Sequence, residues 1–220
     1  LDPNDPVTIG AMVGPEAFTE VRYLAHAKQL QALDLLPELA VEFQQVFGRN
    51  SGGLIKPYHL EDAETVVIAL GSVLGTIKDT VDEMRAQGVK IGVLGITSFR
   101  PFPIEAIRAV TAHAKRIVVI EKCFAVGIGG IVSRDVRSAV QSRPQQVFAV
   151  VAGLGGRAIT KASLHKLLLQ AIEDKLELLT FLDLDWGIVN RVLEREKQQR
   201  RSGPVAEGIL RDIGTVSSKI

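Results

Sequence analysis

Two glycine loops are the places where this chain can present anion chemistry. Gly127-Ile-Gly-Gly130 and Gly153-Leu-Gly-Gly156 each stand between an apolar, β-branched run and a segment of helical spacing. Exposed amides and a helix dipole at such a junction can hold a phosphate or a carboxylate. Neither loop completes G-x-G-x-x-G, because Val132 and Ala158 occupy the last position, and the Walker pattern is absent. Two readings therefore stand for Gly127, Gly129, Gly130, Gly155, Gly156 and the following Arg157: an anion-binding or interface site, or glycines that serve tight turns and close helix–sheet packing. For either loop alone the second is the simpler. A third candidate is Arg100 in Ser98-Phe-Arg-Pro-Phe-Pro103, flanked by two aromatics and two prolines that stiffen it. It can pair with an anionic ligand or with a carboxylate across a subunit contact. The plain alternative is a surface arginine.

Other chemistries find little support. Asp183 and Asp185 invite an acid–base or metal pair, but Asp185 immediately precedes a helical segment and reads as its cap, with Asp183 at a strand end. His26, His59, His113 and His165 lie in separate segments without H-x-x-x-H or H-E-x-x-H spacing, so no metal site is expected. No Gly-x-Ser-x-Gly elbow occurs, and Cys123 lacks a catalytic signature. A small buried or half-buried side chain at a strand end is the expectation for Cys123. As the only cysteine it can form no internal disulfide and can hold no cysteine-ligated zinc or iron–sulfur centre by itself. The signs alternating around Arg195-Glu-Lys-Gln-Gln-Arg-Arg201 describe a solvated, self-paired helix face by default, with a partner-binding end as the other reading.

The 26 Lys and Arg nearly balance the 25 Asp and Glu, which leaves no electrostatic footprint for nucleic acid. No apolar stretch approaches the ~20 residues of a membrane helix, and the start lacks a signal peptide's basic and apolar regions. A cytoplasmic protein is expected. Leu1-Asp-Pro-Asn-Asp-Pro6 has no initiator Met and reads as a linker, as in a piece of a longer or processed chain.

The loops are positioned by a repeating pattern. Apolar runs at 65–71, 90–96, 116–121 and 146–153 each lead into helical periodicity, which predicts strands buried on both faces, joined by helical crossovers in a largely parallel sheet. The crossover helices bury Ile77, Val81 and Met84; Ile104, Ile107 and Val110; Val132, Val136 and Val140; and, after a cap at Thr160, Leu164, Leu167, Leu168, Ala171 and Ile172. A fifth strand is predicted at 181–184 and a last helix at 186–200. Residues beyond Arg200 read as a tail needing a partner surface. Ahead of the sheet, 15–47 has amphipathic spacing interrupted by Pro37, predicting two helices or a kinked pair, and a loop over 48–57 follows. The fold class is thus a three-layer α/β domain with a mostly parallel five-stranded sheet and an N-terminal helical arm. Its divisions are a linker and arm at 1–57, the sheet domain at 58–185, and a C-terminal helix and tail at 186–220.

Glu61-Asp-Ala-Glu-Thr-Val-Val-Ile-Ala-Leu-Gly-Ser72, Gly92-Val-Leu-Gly-Ile-Thr-Ser-Phe-Arg-Pro-Phe-Pro103, Val119-Ile-Glu-Lys122 with the first glycine loop, and Ala152-Gly-Leu-Gly-Gly-Arg157 together resemble the alpha subunit of 2-oxoacid:ferredoxin oxidoreductases, of which pyruvate:ferredoxin oxidoreductase is the best known. The arm matches as well, through Phe18 to Tyr23 and Glu42-Phe-Gln-Gln-Val-Phe-Gly-Arg49. The resemblance implies the domain similar to the C-terminal domain of transketolase. It also implies an enzyme that oxidatively decarboxylates a 2-oxoacid to an acyl-CoA with thiamine diphosphate, magnesium, iron–sulfur clusters and coenzyme A. None of these is expected on this chain alone, which lacks the Gly-Asp-Gly diphosphate motif. The implied partners are a pyrimidine-binding domain, beta-, gamma- and delta-type subunits, and ferredoxin or flavodoxin, in an oligomer without nucleic acid or membrane. Where many relatives carry Asp-Arg-Asn after the third strand, this chain has Glu121-Lys-Cys123. The first two charge signs are kept, and the role of the third position is not. The expected function is a non-catalytic scaffold and interface domain. The alternative is a free-standing module that holds a phosphorylated ligand in its glycine loops.

Overall fold

The computed structural model describes residues 12–141, 143–199 and 205–214, together with 2–4, 6 and 10. It divides into two compact units, Leu1–Thr180 and Phe181–Ile220. The first opens with α1 (Phe18–Phe47), followed by β1 (Ile55–Tyr58), β2 (Thr65–Ala69), α2 (Val73–Ala86), β3 (Ile91–Ile96), α3 (Ile104–Val110), β4 (Arg116–Glu121), α4 (Val132–Ala139), β5 (Gln146–Val151) and α5 (Lys161–Ile172). The strand β6 (Leu179–Phe181) runs across the division, and α6 (Trp186–Gln199) and α7 (Val205–Asp212) belong to the second unit.

Strand order is β1-β3-β2-β4-β5-β6. The pairs β2–β3, β2–β4 and β4–β5 are parallel, with Val66 opposite Gly92 and Ile117, and Ile117 opposite Val147. Successive strand residues face opposite sides, so each strand feeds two cores. Val66, Ile68, Leu94, Ile117 and Val119 pack with Ile107 of α3 and with Val132, Val136 and Ala139 of α4. The alternate set, including Val67, Val93 and Val118, lies on the side of α2 and α5, where Ile77, Val81, Met84, Leu164 and Leu168 are fully buried. Three layers result, as the continuous apolar runs require. At Gly92 a side chain has no room, because a Cβ would overlap the carbonyl oxygen of His59 in the segment leading to β2.

The sheet has six strands where the sequence pattern predicts five. The extra one, β1, begins in the expected 48–57 loop, ends one residue past it at Tyr58, and pairs antiparallel with β3, Pro57 opposite Leu94. A four-residue strand containing proline gives no periodic signal, and proline is tolerated because β1 is an edge. The last strand lies at Leu179–Phe181, two residues before its expected start at 181. Pro37 does not divide the arm: α1 is continuous for 30 residues and stops at Gly48, which adopts the left-handed conformation and whose amide donates to Gln44 O at 2.8 Å. A proline inside a helix costs about 3 kcal/mol, which the turns on either side absorb. Of the expected buried positions, Ile104 is 39% exposed, and Val110 and Ile172 are half-buried.

Thr160 caps α5 as expected, its Oγ1 accepting from Ser163 N at 3.1 Å. In the second unit Asp185 Oδ1 accepts from Ile188 N at 3.0 Å, a structural cap as its position implied. There α7 replaces the expected tail over Val205–Asp212, and Arg195 of α6 pairs with Asp212 at 3.2 Å. Arg200, Arg201 and the rest of 200–204, the Ser-rich end at 215–220, and Leu1 and Asp5 of the linker lie outside the described residues.

Ion pairs gather at the edge where the parallel strands begin. Arg116 makes a two-pronged contact with Asp174 at 2.6 and 2.7 Å, Lys115 reaches Glu64 at 2.6 Å, and Arg85 reaches Asp62 at 2.9 Å. Hydrogen bonds from these cations hold the Asp174, Glu64 and Asp62 carboxyls below their ordinary pKa. A depressed folded-state pKa adds stability above the unfolded value, near 4, and that stability is lost as pH falls through the folded value. The chain is therefore expected to lose stability in acid below about pH 4. Urea titrations should show Asp174→Asn flattening that slope while leaving its sign unchanged.

Candidate functional site

The chain runs from β2 to β3 on one side and then returns past β2 to β4, so a topological switch point lies between the C-terminal ends of β2 and β4. A cavity of about 410 Å³ opens there. Leu70, Val73, Phe99, Ile120, Val132 and Ile159 supply apolar walls, and Ser72, Glu121, Lys122 and Cys123 the polar ones. Cys123 is exposed, contrary to the buried or half-buried expectation, because it follows the end of β4 on the solvent side of this edge.

The organising residue is Glu121, last in β4 and 6% exposed. Its Oε2 accepts from Ile131 N at 2.8 Å and Val132 N at 2.7 Å, and its Oε1 from Ser133 N at 3.0 Å. The amides that open α4 are thus taken by the chain's own carboxylate. Gly130 is part of the same device, since a Cβ there would overlap Glu121 Oε1. The first glycine loop closes on itself, with Ala125 N donating to Gly129 O at 2.8 Å and Gly129 N to Ala125 O at 2.9 Å. Gly127, Gly129, Gly155 and Gly156 all have positive φ, where glycine avoids the strain of a side chain.

Arg100 stands on the same edge. Its guanidinium donates to Asp135 Oδ2 in α4 at 2.8 Å and to Phe99 O at 2.7 Å, and lies 4.0 Å from the centre of the Phe99 ring. Phe99 and Phe102 meet edge-on at 6.2 Å, and Ser98 Oγ donates to Pro101 O at 2.9 Å. The stiffness expected of this loop is present, and the ion pair ties it to the helix that Glu121 anchors. Arg157 is exposed beyond the second glycine loop. The side chain of Lys122 lies beside Gly153, where an added Cβ would sit 3.0 Å from its Cε. The expected site residues therefore collect along one edge. Glu121's role in holding α4 and the switch-point cavity went unread in the sequence, since ten residues separate the carboxylate from the first amide it holds.

Exposed apolar side chains share this edge: Val126 at 89% and Ile128 at 59% on the first loop, and Leu154 at 45% on the second. Nothing along it assembles a metal site, as no group of three or more His, Cys, Asp or Glu comes together among the described residues. The residues here do not fit a magnesium–diphosphate group, because both oxygens of the buried carboxylate are already committed to amides. Among the described residues no helix is long and apolar enough to cross a membrane.

A parallel α/β domain with its loops gathered at one switch-point edge is the class of structure that these residues define. Residues 63–164 match the family described as Pyruvate:ferredoxin oxidoreductase core domain II. Among curated relatives, the chain is 43% identical over 171 residues to pyruvate synthase subunit PorA of Methanosarcina barkeri, covering 76% of this chain and 42% of that one. It is 37% identical over 183 residues to the same subunit of Thermotoga maritima, covering 80% and 45%. The chain thus spans less than half the length of these relatives. Among solved structures, a 2-oxoglutarate:ferredoxin oxidoreductase from Magnetococcus marinus with 2-oxoglutarate, coenzyme A and succinyl-CoA bound aligns at TM-score 0.41 and 16% identity, over 62% of this chain and 21% of that chain.

Replacing Glu121 by Ala strands the buried amides of Val132 and Ser133 and should cost about 2–4 kcal/mol in urea denaturation. Gly130→Ala should also destabilise, by forcing the carboxylate aside. Because both changes break one contact, the double variant should lose clearly less than the sum.

Proposed function

We propose that this chain is the second core domain of the alpha subunit of a thiamine-diphosphate-dependent, pyruvate-type 2-oxoacid:ferredoxin oxidoreductase, and that it serves there as a scaffold and interface domain. The complete enzyme would decarboxylate a 2-oxoacid oxidatively, join the acyl group to coenzyme A and pass electrons to ferredoxin or flavodoxin. Thiamine diphosphate would lie between a pyrimidine-binding domain and a diphosphate-binding domain, with this domain fixing their positions. Orientation of that kind governs how well a shared site works.

One observation carries the reading. Helix α1 has 30 residues and none is buried, while Phe18, Leu24, Leu35, Phe43, Val46 and Phe47 all lie exposed. A helix with apolar residues on so much of its surface is made to be covered. Val126, Ile128 and Leu154 extend the same character to the edge that carries Arg100. The other reading, a free-standing module that holds a phosphorylated ligand, is weakened because Glu121 already occupies the amides at α4.

Two measurements test the proposal. The chain by itself should neither bind thiamine diphosphate with magnesium in calorimetry nor reduce a viologen dye with pyruvate and coenzyme A; micromolar binding or turnover would overturn it. In the complete enzyme, Ile128→Asp and Arg100→Ala should each weaken assembly. The urea midpoint of the isolated domain should barely move, since both side chains are exposed and such changes stay within about 0.5–1 kcal/mol. If Arg100→Ala instead unfolded the domain and spared activity, the interface assignment would fall.

A further inference from the structure

Helix α1 carries a row of residues whose spacing is the same read from either end. Val21, Leu24, Lys28, Ala32, Leu35, Leu39, Phe43 and Val46 follow at intervals of 3, 4, 4, 3, 4, 4 and 3. With about 100° of turn per residue, all eight fall on a stripe roughly 100° wide. Val21, Leu24, Leu35, Leu39, Phe43 and Val46 are exposed by 44, 61, 51, 47, 37 and 73%, and Lys28 is exposed too. The helix is anchored to its own domain on a different face, where Pro37 and Ala40 lie against Gly53.

We infer that this stripe pairs antiparallel with the same stripe of a second copy of the chain. The inference rests on the reading that α1 is made to be covered, and it names the cover. A row symmetric about its middle superimposes on itself when one helix is turned end for end. Val21 then meets Val46, Leu24 meets Phe43, Ala32 meets Leu35, and Lys28 meets Leu39. The 3-4-4 interval is an eleven-residue repeat of about 3.67 residues per turn, close to that of a straight helix, so the stripe stays on one face for the whole helix and two copies can lie side by side with little supercoiling. Charge selects the direction. In a parallel pair each residue meets itself, setting Lys28 against Lys28. In the antiparallel pair Lys28 comes within a turn of Glu38 and Glu42 of the second copy, both on the same flank of the stripe. Cations therefore concentrate in one half of α1, with Arg22 and Lys28, and carboxylates in the other, with Asp34, Glu38 and Glu42. Glu20 is the exception in the first half. An unlike partner would have no need of the end-to-end symmetry.

Sedimentation equilibrium of the chain from about 1 to 100 μM tests this. A monomer–dimer equilibrium is expected. Leu35→Asp, at the centre of the seam, should abolish the dimer over that range without changing the thermal midpoint of the monomer's sheet domain. Lys28→Glu should raise the dimer dissociation constant about tenfold, as one lost charge contact on each side of the two-fold predicts, and adding Glu38→Lys with Glu42→Lys should restore it. A chain monomeric throughout, a dimer that survives Leu35→Asp, or a triple variant no tighter than Lys28→Glu would each overturn the pairing. If the chain is monomeric while Leu35→Asp still blocks assembly of the complete enzyme, α1 remains an interface and only the second copy is excluded as its occupant.

Discussion

The connection from Glu121 to the first turn of α4 is the contact on which the functional edge depends. A carboxylate at the end of a central strand is expensive to bury unless it is fully hydrogen-bonded, and here three backbone amides bond it. The negative charge also meets the positive end of the helix dipole. This one contact sets where α4 begins and requires glycine at 130. By placing Asp135 on the first turn, it also sets where Arg100 can be held. Arg100 then fixes the Ser98–Pro103 loop against the same helix. The loops that follow β3 and β4 are in this way tied to one buried charge.

The two edges of the sheet have opposite characters. Where the parallel strands begin, Glu64, Lys115, Arg116, Asp174, Asp62 and Arg85 satisfy one another in exposed or half-exposed pairs. Such pairs contribute little each but leave a hydrophilic rim suited to water. Where the strands end, Val126, Ile128 and Leu154 are exposed alongside Arg100, Lys122 and Arg157, and Arg100 is paired with Asp135 of α4. Solvent exposure of apolar loop tips has no structural benefit within the domain itself, which supports the proposed role of that edge as a surface for another protein domain.

The sheet was legible because its residues obey one rule at every strand. Val66, Val93, Val118 and Val147 sit in short β-branched runs, and all four lie on adjacent parallel strands. The helix faces were legible for the same reason, down to Met84 and Val136 at full burial. What escaped has local signals too weak or too ambiguous to read. The strand β1 is four residues with a proline, and α7 is eight residues in a stretch rich in glycine and proline. Pro37 suggests two helices because propensity is a local quantity, whereas the helix around it continues for several turns in both directions. At the site, the glycine positions and the stiff arginine loop were evident as residue types. Their purpose was not. A glycine at a helix start looks the same whether it admits a phosphate from solution or a carboxylate from a strand ten residues earlier.

That ambiguity bears on how such domains acquire or lose ligands. The switch-point edge of a parallel sheet concentrates amide donors and helix dipoles whether or not a ligand is present. Left unpaired in a buried setting, those donors are costly, and an anion from the chain itself can satisfy them. Glu121 is such an internal anion, and with it in place the glycine loop becomes a rigid mount for apolar side chains at its tip. The chemistry that the loop's composition suggests has been turned into geometry. In a protein whose reactive groups would come from neighbouring domains, that geometry is the contribution to be expected: a fixed edge and a long apolar helix, each shaped to hold something else in position.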